Sequence, residues 1–360
     1  MKVPIVQLSL PDEVLKEVKE VLKSGMWVEG THVRDLEKRF SDYCGVKYCR
    51  AVNSGTSALL SIIASLDIEP GSEVIIPSFT FIATANCLKI FGLQPVFADI
   101  DPRTFNISPK SILEKISNKT KAIMPVDLFG LCANYDVINK IANENDLILI
   151  EDSCQAHGAE LKNKKAGSFG VCGAFSLYPT KNMYCGGEGG LVVTDNTDIY
   201  NRVNRFVNHG QSKKYVHEEL GLNFRMPAIS GVCGKYSLSV LDKNNRKRIK
   251  NAELYDDLFE NVEGIITPTK SEDYKHVYHQ YTIRVENRDE IVEQLIKNNI
   301  GFGIHYKIPI HQQPYYKRLG YGDSLPETEK AAAQVLSLPI HPLLSEEQIQ
   351  FVARIIKKII

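Results

Sequence analysis

Two stretches of this chain decide its fold: LILIEDSCQ at residues 147–155 and GAFSLYPTK at residues 173–181. Each begins with a short apolar run typical of a buried strand, and polar residues follow the run directly. In an open parallel sheet, the carboxyl ends of the strands line the crevice in which ligands bind. The two stretches therefore predict that Asp152 and Lys181 lie in the same crevice.

Strand-like runs and helical segments alternate through the first two thirds of the chain. The runs include EVIIP at 73–77, PVFADI at 95–100 and KAIMPVDL at 121–128, while residues 135–145 have helical spacing. Strands separated by helices indicate βαβ units. We therefore predict an α/β fold whose mostly parallel central sheet is flanked by helices.

The sequence changes in character after Leu241. A charged helical segment at 243–262 is followed by a mixture of strand-like and helical segments. We predict a large domain over residues 1–241, which includes an N-terminal arm, and a smaller C-terminal α+β domain over residues 242–360. The charged segment itself is typical of a solvated helix face.

The composition excludes several classes of protein. Lys plus Arg and Asp plus Glu both number 43, so no basic excess points to nucleic acid or to a membrane surface as a partner. We see no signal peptide and no apolar run of membrane-spanning length, and we expect a cytoplasmic protein. The eight cysteines contain no Cys-x-x-Cys pair and are typical of reduced structural thiols. We expect no metal site, because the nine histidines form no ligand pattern with these cysteines.

The groups in the predicted crevice match the needs of pyridoxal phosphate. This cofactor requires a lysine for a covalent link, an acid for its pyridine nitrogen and donors for its phosphate. Lys181 suits the first need, because burial lowers the pKa of an amine and makes it a better nucleophile. Asp152 suits the second. Taken singly, Lys181 is more typical of a surface lysine, and Asp152 has a helix cap as its alternative interpretation.

Donors for the phosphate are predicted at a helix start. Asn53-Ser-Gly-Thr-Ser57 lies where a strand-like run enters a helix, and backbone amides at such a start bind anions. An ordinary N-cap explains this stretch equally well. Ser176 offers a second hydroxyl, Gln155 a donor to the phenolic oxygen, and Phe81 a ring that stacks on the cofactor or packs in the core.

At these residues the chain resembles the DegT/DnrJ/EryC1/StrS family of pyridoxal-phosphate-dependent sugar aminotransferases, within fold type I. The resemblance covers nearly the whole chain and follows the family's order of motifs. These are NSGTSAL at 53–59, PSFTFIATAN at 77–86, PVFADIDPRTFN at 95–106, IEDSCQAHGA at 150–159, GSFG at 167–170, FSLYPTKNMYCGGEGG at 175–190, NHGQ at 208–211, GLNFRM at 221–226, GIHY at 303–306 and LSLPIHP at 336–342.

The resemblance implies a role for each matching residue. Lys181 would form the Schiff base, Asp152 would pair with the pyridine nitrogen, and Gln155 would contact the phenolic oxygen. The phosphate would be held by Gly55, Thr56 and Ser176, and the ring face covered by Phe81. The family builds its sites at a homodimer interface, so the neighbouring subunit's phosphate would be reached by Asn223. The nucleotide-sugar diphosphate would be met by Arg225, His305 and Tyr306.

The implied reaction transfers an amino group in two halves. Glutamate would aminate the cofactor, and the resulting pyridoxamine phosphate would aminate a keto sugar attached to a nucleotide, for amino-sugar and surface-polysaccharide biosynthesis. A dehydrating branch of the family has His at the lysine position, so Lys181 favours transamination. The segment from Asn208 to Tyr215 is more similar to members that act on 3-keto sugars than to those that act on 4-keto sugars.

Two alternatives share the cofactor motifs. One is an aminotransferase for a keto-cyclitol, which would not need a nucleotide. The other is a non-catalytic regulator that binds pyridoxal phosphate, and the presence of Lys181 argues against it because such a protein can dispense with the lysine.

Overall fold

The computed structural model describes residues 1–360, which form helices and strands in alternation over most of the chain. The α-helices are α1 (Asp12–Ser24), α2 (Thr31–Cys44), α3 (Gly55–Ser65), α4 (Ala83–Ile90), α5 (Pro109–Lys115), α6 (Tyr135–Glu144), α7 (Thr197–Phe206), α8 (Ala228–Phe259), α9 (Arg288–Lys297), α10 (Pro314–Arg318), α11 (Pro326–Gln334) and α12 (Glu346–Lys357). The strands are β1 (Tyr48–Val52), β2 (Glu73–Pro77), β3 (Gln94–Ala98), β4 (Thr120–Ile123), β5 (Ile148–Asp152), β6 (Glu160–Leu161), β7 (Lys164–Lys165), β8 (Cys172–Ser176), β9 (Gly190–Thr194), β10 (Gln211–Lys213), β11 (Val216–His217), β12 (Tyr274–Lys275), β13 (Tyr281–Arg284) and β14 (Val335–Leu338).

A seven-stranded sheet in the order β1-β9-β8-β5-β4-β2-β3 forms the centre of the molecule. The pairs from β8 through β3 are parallel, while β9 is antiparallel to both β8 and β1. The predicted mostly parallel sheet is therefore confirmed. Short apolar strands of this kind are buried on both faces because βαβ crossovers place helices over each face.

Alternate residues of the strands point into two different cores. In β2, Val74 and Ile76 pack with residues of α3, α4 and α7 on one face of the sheet. Ile75 packs with residues of α5 and α6 on the other face. The sheet and its helices thus form three layers, as the α/β prediction requires.

Helix α8 is longer than the sequence suggested. It begins at Ala228 and runs for 32 residues, whereas we predicted a helix only from residue 243. Two glycines, Gly231 and Gly234, weaken the helical signal there. Both are needed for packing against α2. An added Cβ at Gly231 would lie 2.8 Å from the Val33 backbone nitrogen, and one at Gly234 would lie 2.8 Å from a Leu36 methyl group.

A separate hydrophobic core lies in the C-terminal part of the chain, where α9, α12, β13 and β14 pack against the second half of α8. The boundary that we predicted between residues 241 and 242 falls inside α8, and the division into two domains remains a prediction. Val3 belongs to this C-terminal core. Its amide donates to Asn299 at 3.1 Å, and its carbonyl accepts from Gly301 at 2.7 Å. None of the helices combines the length and the apolar character needed to cross a membrane.

Candidate active site

A cavity of about 550 Å³ opens at the carboxyl ends of β2, β5 and β8, beside the start of α3. It brings together most of the site residues that the sequence predicted. Those that line it are Gly55, Thr56, Phe81, Asp152, Gln155, Ser176, Lys181, His305 and Tyr306. The predicted crevice for Asp152 and Lys181 is therefore one continuous cavity.

Lys181 lies in the loop that follows β8, and its amine is free. Its Nζ makes no hydrogen bond and no salt bridge within the chain. Burial lowers the pKa of the Lys181 amine, and the nearby Cys154 and Asp152 side chains oppose this shift only in part. An amine of this kind is more readily deprotonated than a surface lysine, and it therefore suits nucleophilic attack on an aldehyde.

Asp152 ends β5 and is only 3% exposed. One carboxylate oxygen accepts a hydrogen bond from the Thr84 hydroxyl at 2.8 Å, and the other accepts one from the Cys154 amide at 3.3 Å. No Lys, Arg or His pairs with it. A buried carboxylate ordinarily has a cationic partner, and a protonated pyridine nitrogen would supply one here. Asp152 therefore fits the role of holding pyridoxal phosphate by its ring nitrogen.

The start of α3 fits the phosphate of that cofactor. Ser54 caps the helix by accepting from the Ser57 amide at 3.0 Å. The amides of Gly55 and Thr56, which line the cavity, have no acceptor within the helix. An added Cβ at Gly55 would lie 2.7 Å from the Ser176 Cβ, so only glycine lets the helix start approach the end of β8 this closely. The amides, the Ser176 hydroxyl and the helix dipole together form an anion site.

Phe81 stands at the wall of the cavity with 56% of its surface exposed. Its ring centroid lies 6.4 Å from that of Tyr306. A large aromatic side chain left exposed in a cavity is available for stacking on a ligand. Its stacking on the cofactor ring remains a prediction.

Gln155 and Tyr306 contact one another, which the sequence did not indicate. The Gln155 side-chain amide donates to the Tyr306 hydroxyl at 3.0 Å, and its oxygen accepts from the Phe129 backbone at 3.1 Å. The second N–H of the Gln155 amide remains available for a ligand oxygen. The peptide bond between His305 and Tyr306 is cis.

Asn223 and Arg225 do not line this cavity. Asn223 is exposed, and its backbone forms an isolated antiparallel β-bridge with that of Asn208. The Arg225 guanidinium donates a hydrogen bond to the Asn208 side chain at 2.6 Å. Within one chain, therefore, these two residues belong to a different surface from Lys181 and Asp152.

The cavity is also lined by residues that were not predicted to belong to the site, among them Thr84, Glu188 and His279. Thr84 lies one helical turn after Phe81 in the same motif, so helical spacing was the signal that could have identified it. Glu188 lies in the glycine-rich segment after Lys181 and is exposed. Burial first, and then the charge of Lys181, hold the pKa of His279 well below its usual range.

The chain is similar to known proteins over nearly its whole length. The model of the DegT/DnrJ/EryC1/StrS aminotransferase family matches residues 9–357. A pleiotropic regulatory protein of Geobacillus stearothermophilus is 37% identical over 360 residues, which cover 98% of this chain and 97% of that protein. A UDP-2-acetamido-2-deoxy-3-oxo-D-glucuronate aminotransferase of Pseudomonas aeruginosa is 35% identical over 346 residues, which cover 96% of each chain.

A solved structure with a cofactor is also similar. It is the crystal structure of NtdA from Bacillus subtilis with the cofactor PMP bound, at a TM-score of 0.91 and 32% identity. The similarity covers 99% of this chain and 85% of that chain.

Proposed function

The chain belongs to the DegT/DnrJ/EryC1/StrS aminotransferase family and is a pyridoxal-phosphate-dependent aminotransferase, and from this premise we propose that it moves an amino group from glutamate to a keto group of a nucleotide-linked sugar. We favour the 3-keto over the 4-keto position. The observation that carries this proposal is the shared cavity, in which the free Lys181 amine, the Asp152 carboxylate without a cation and the start of α3 lie together.

Asp152 and the start of α3 hold the two ends of the cofactor. Pyridoxal phosphate, when bound, supplies an electron-accepting ring that allows an amino acid to lose the proton on its Cα. The Asp152 carboxylate keeps the ring nitrogen protonated, and Thr84 holds that carboxylate in place through its 2.8 Å hydrogen bond. The amides of Gly55 and Thr56 and the Ser176 hydroxyl bind the phosphate.

Lys181 moves the proton. With the cofactor bound, Nζ of Lys181 would accept the proton from the Cα of the amino donor and would later give a proton back. The lowered pKa of this amine favours the first transfer, because a larger fraction is unprotonated at neutral pH.

Charge in the cavity supports a site completed by a second subunit. Both proposed ligands, glutamate and a nucleotide sugar, are anionic. The cavity is lined by the carboxylates of Asp152 and Glu188 and by no arginine, with Lys181 as its one lysine. We propose a homodimer in which Asn223 and Arg225 of each chain reach the other chain's site, where a guanidinium would bind phosphate oxygens.

Exposed apolar residues support the same assembly. Met26, Trp27, Tyr215 and Leu220 are all more than half exposed. Large exposed apolar side chains are commonly covered at protein–protein interfaces. Tyr215 joins β10 to β11, the hairpin that follows Asn208, so it lies on the same part of the chain as the contact of Arg225.

Two points support the 3-keto preference. One is the resemblance noted for the segment from Asn208 to Tyr215, and the other is that the relative from Pseudomonas aeruginosa is named for a 3-oxo sugar. We further propose that the reaction is cytoplasmic. All eight cysteines are free thiols, which persist in a reducing compartment.

The proposal is tested by incubating the purified enzyme with glutamate and a panel of 3-keto and 4-keto nucleotide sugars. We expect the cofactor absorbance to change on addition of glutamate, and an amino sugar to be identified by mass and NMR with a 3-keto substrate. Lys181→Ala should give neither signal. Amination of a 4-keto sugar alone would contradict the positional preference, and no amination of any nucleotide sugar would contradict the substrate class.

Two other functions predict different results. A keto-cyclitol aminotransferase would gain no thermal stability from UDP, dTDP or GDP, whereas a nucleotide-sugar enzyme should be stabilised by at least one of them. A regulator is suggested by the name of the Geobacillus stearothermophilus relative. It would not turn over glutamate, and the free amine of Lys181 in the cavity favours catalysis.

A further inference from the structure

A short series of hydroxyl groups connects the antiparallel strands β13 and β14 to the active-site cavity. Thr282 and Ser337 lie opposite one another on β13 and β14. Their hydroxyl oxygens are 2.9 Å apart, and the Ser337 oxygen is 3.1 Å from Nδ1 of His305. Thr282 is 2% exposed and Ser337 is fully buried, so water does not replace these contacts.

The number of hydroxyl protons determines which group donates in each of these hydrogen bonds. The Thr282 hydroxyl has Ser337 as its one hydrogen-bond partner. If Ser337 donated to Thr282, the Thr282 proton would be buried without an acceptor, which is unfavourable. If Thr282 donates to Ser337, then Ser337 donates to Nδ1 of His305, and every buried hydroxyl proton is paired. The second arrangement is therefore favoured.

This direction determines the state of His305. An imidazole that accepts a hydrogen bond at Nδ1 carries its proton on Nε2 when neutral. Burial, and then the charge of Lys181, lower the pKa of His305, so the neutral ring is favoured. His305 lines the cavity, and its Nε2 has no partner within the chain.

We propose that Thr282 and Ser337 are positioning residues that hold His305 as the neutral Nε2–H tautomer, so that it donates a hydrogen bond to an uncharged oxygen of the bound sugar. The identity of that oxygen, a hydroxyl or the keto group, rests on the proposed function, whereas the tautomer does not. A neutral ring supplies a hydrogen bond but no charge, and we therefore assign the sugar oxygen to His305 and the charged diphosphate to Arg225.

The tautomer is measured directly in the holoenzyme, by neutron diffraction or by NMR of the ¹⁵N-histidine-labelled protein, with the His305 signal assigned from its loss in His305→Gln. We expect a proton on Nε2 and none on Nδ1 in the wild type. Ser337→Ala and Thr282→Val should give a mixture of tautomers, while Thr282→Ser, which keeps the hydroxyl, should match the wild type. A proton on Nδ1 in the wild type, or an unchanged tautomer in Ser337→Ala, would overturn the proposal.

A second experiment tests the donor role by exchanging His305 for two amides. The amide nitrogen of Gln lies near the position of Nε2, whereas that of Asn lies near Nδ1. We expect His305→Gln to retain kcat/KM for the sugar about tenfold above His305→Asn, the value of roughly one hydrogen bond. The glutamate half-reaction, followed by cofactor absorbance, should differ much less between the two variants. Equal values for the sugar would contradict the donor role, even with the tautomer as proposed. If no sugar is aminated by the wild type, the proposed function fails while the tautomer result still stands.

Discussion

Lys181 and Asp152 show how opposite environments can be arranged in one cavity. The amine of Lys181 has no polar partner, so burial lowers its pKa. The carboxylate of Asp152 has two hydrogen-bond donors and no cation. Sequence reasoning identified both residues because Asp152 lies at the carboxyl end of one strand and Lys181 lies shortly after the carboxyl end of another. Helical spacing could have placed Thr84 beside Phe81, but it could not reveal the contact of Thr84 with Asp152, which joins positions 68 residues apart.

The lowered pKa of Lys181 gives a prediction about cofactor attachment. A lysine below its ordinary value of 10.5 becomes unprotonated at lower pH. The rate at which the cofactor-free enzyme captures pyridoxal phosphate should therefore rise with pH and level off below pH 10.5. Stopped-flow absorbance measures this rate, with N-acetyl-lysine methyl ester as the reference for an unshifted amine. A profile that coincides with the reference would show that burial does not tune this amine.

Replacement of Asp152 separates binding from catalysis. Asp152→Asn removes the charge that keeps the ring nitrogen protonated but retains a side chain of the same size. We expect the cofactor to stay bound while kcat falls about a hundredfold or more. Absorbance gives the bound cofactor and a coupled glutamate assay gives kcat. Asp146→Asn, an exposed position at the other end of the same strand, is the matched control and should keep wild-type rates. Equal rates in both variants would refute the role of Asp152.

At the scale of elements, the site depends on the contact between the start of α3 and the end of β8. Sequence patterns predicted both elements, as well as β2, β5 and α6, because their apolar spacing is regular. They failed for the first half of α8, where Gly231 and Gly234 weaken the helical pattern but pack against α2. Tertiary packing overrides local propensity at such positions.

Gly55→Ala tests the contact between α3 and β8. The added methyl group would lie 2.7 Å from the Ser176 Cβ, so the helix start must move away and the phosphate donors separate. We expect the affinity for pyridoxal phosphate to fall at least about tenfold, because charge-assisted hydrogen bonds are lost. Fluorescence titration of the cofactor-free protein measures the affinity. Gly322→Ala, where the methyl group meets no atom within 4 Å, should bind as the wild type does. Wild-type affinity in Gly55→Ala would show that the close approach is not required.

At the scale of the whole molecule, one chain places its predicted site residues on two surfaces. Most line the cavity, while Asn223 and Arg225 lie elsewhere. A sequence records which residues belong to a family motif, but it does not record whether they act in the same subunit. The homodimer with shared sites that we propose would account for both surfaces.

Mixing two inactive variants tests the shared site. Lys181→Ala and Arg225→Ala should each form dimers of low activity on their own. After mixing and subunit exchange, half of the dimers are mixed and each has one intact site, so roughly a quarter of wild-type activity should return. Light scattering verifies the dimer in every sample. Activity that stays at the level of the separate variants would place Arg225 and Lys181 in the same chain's site, or Arg225 outside the reaction.

The pairing of Val3 with Asn299 and Gly301 has a consequence for how this protein is made. Val3 leaves the ribosome well before the backbone groups that it pairs with, which are synthesised about 300 residues later. At typical elongation rates this delay lasts tens of seconds. During that time the N-terminal segment has no partner, and its pairing must be among the last steps of folding. A bulky fusion next to Val3 would therefore impede the end of folding rather than its beginning.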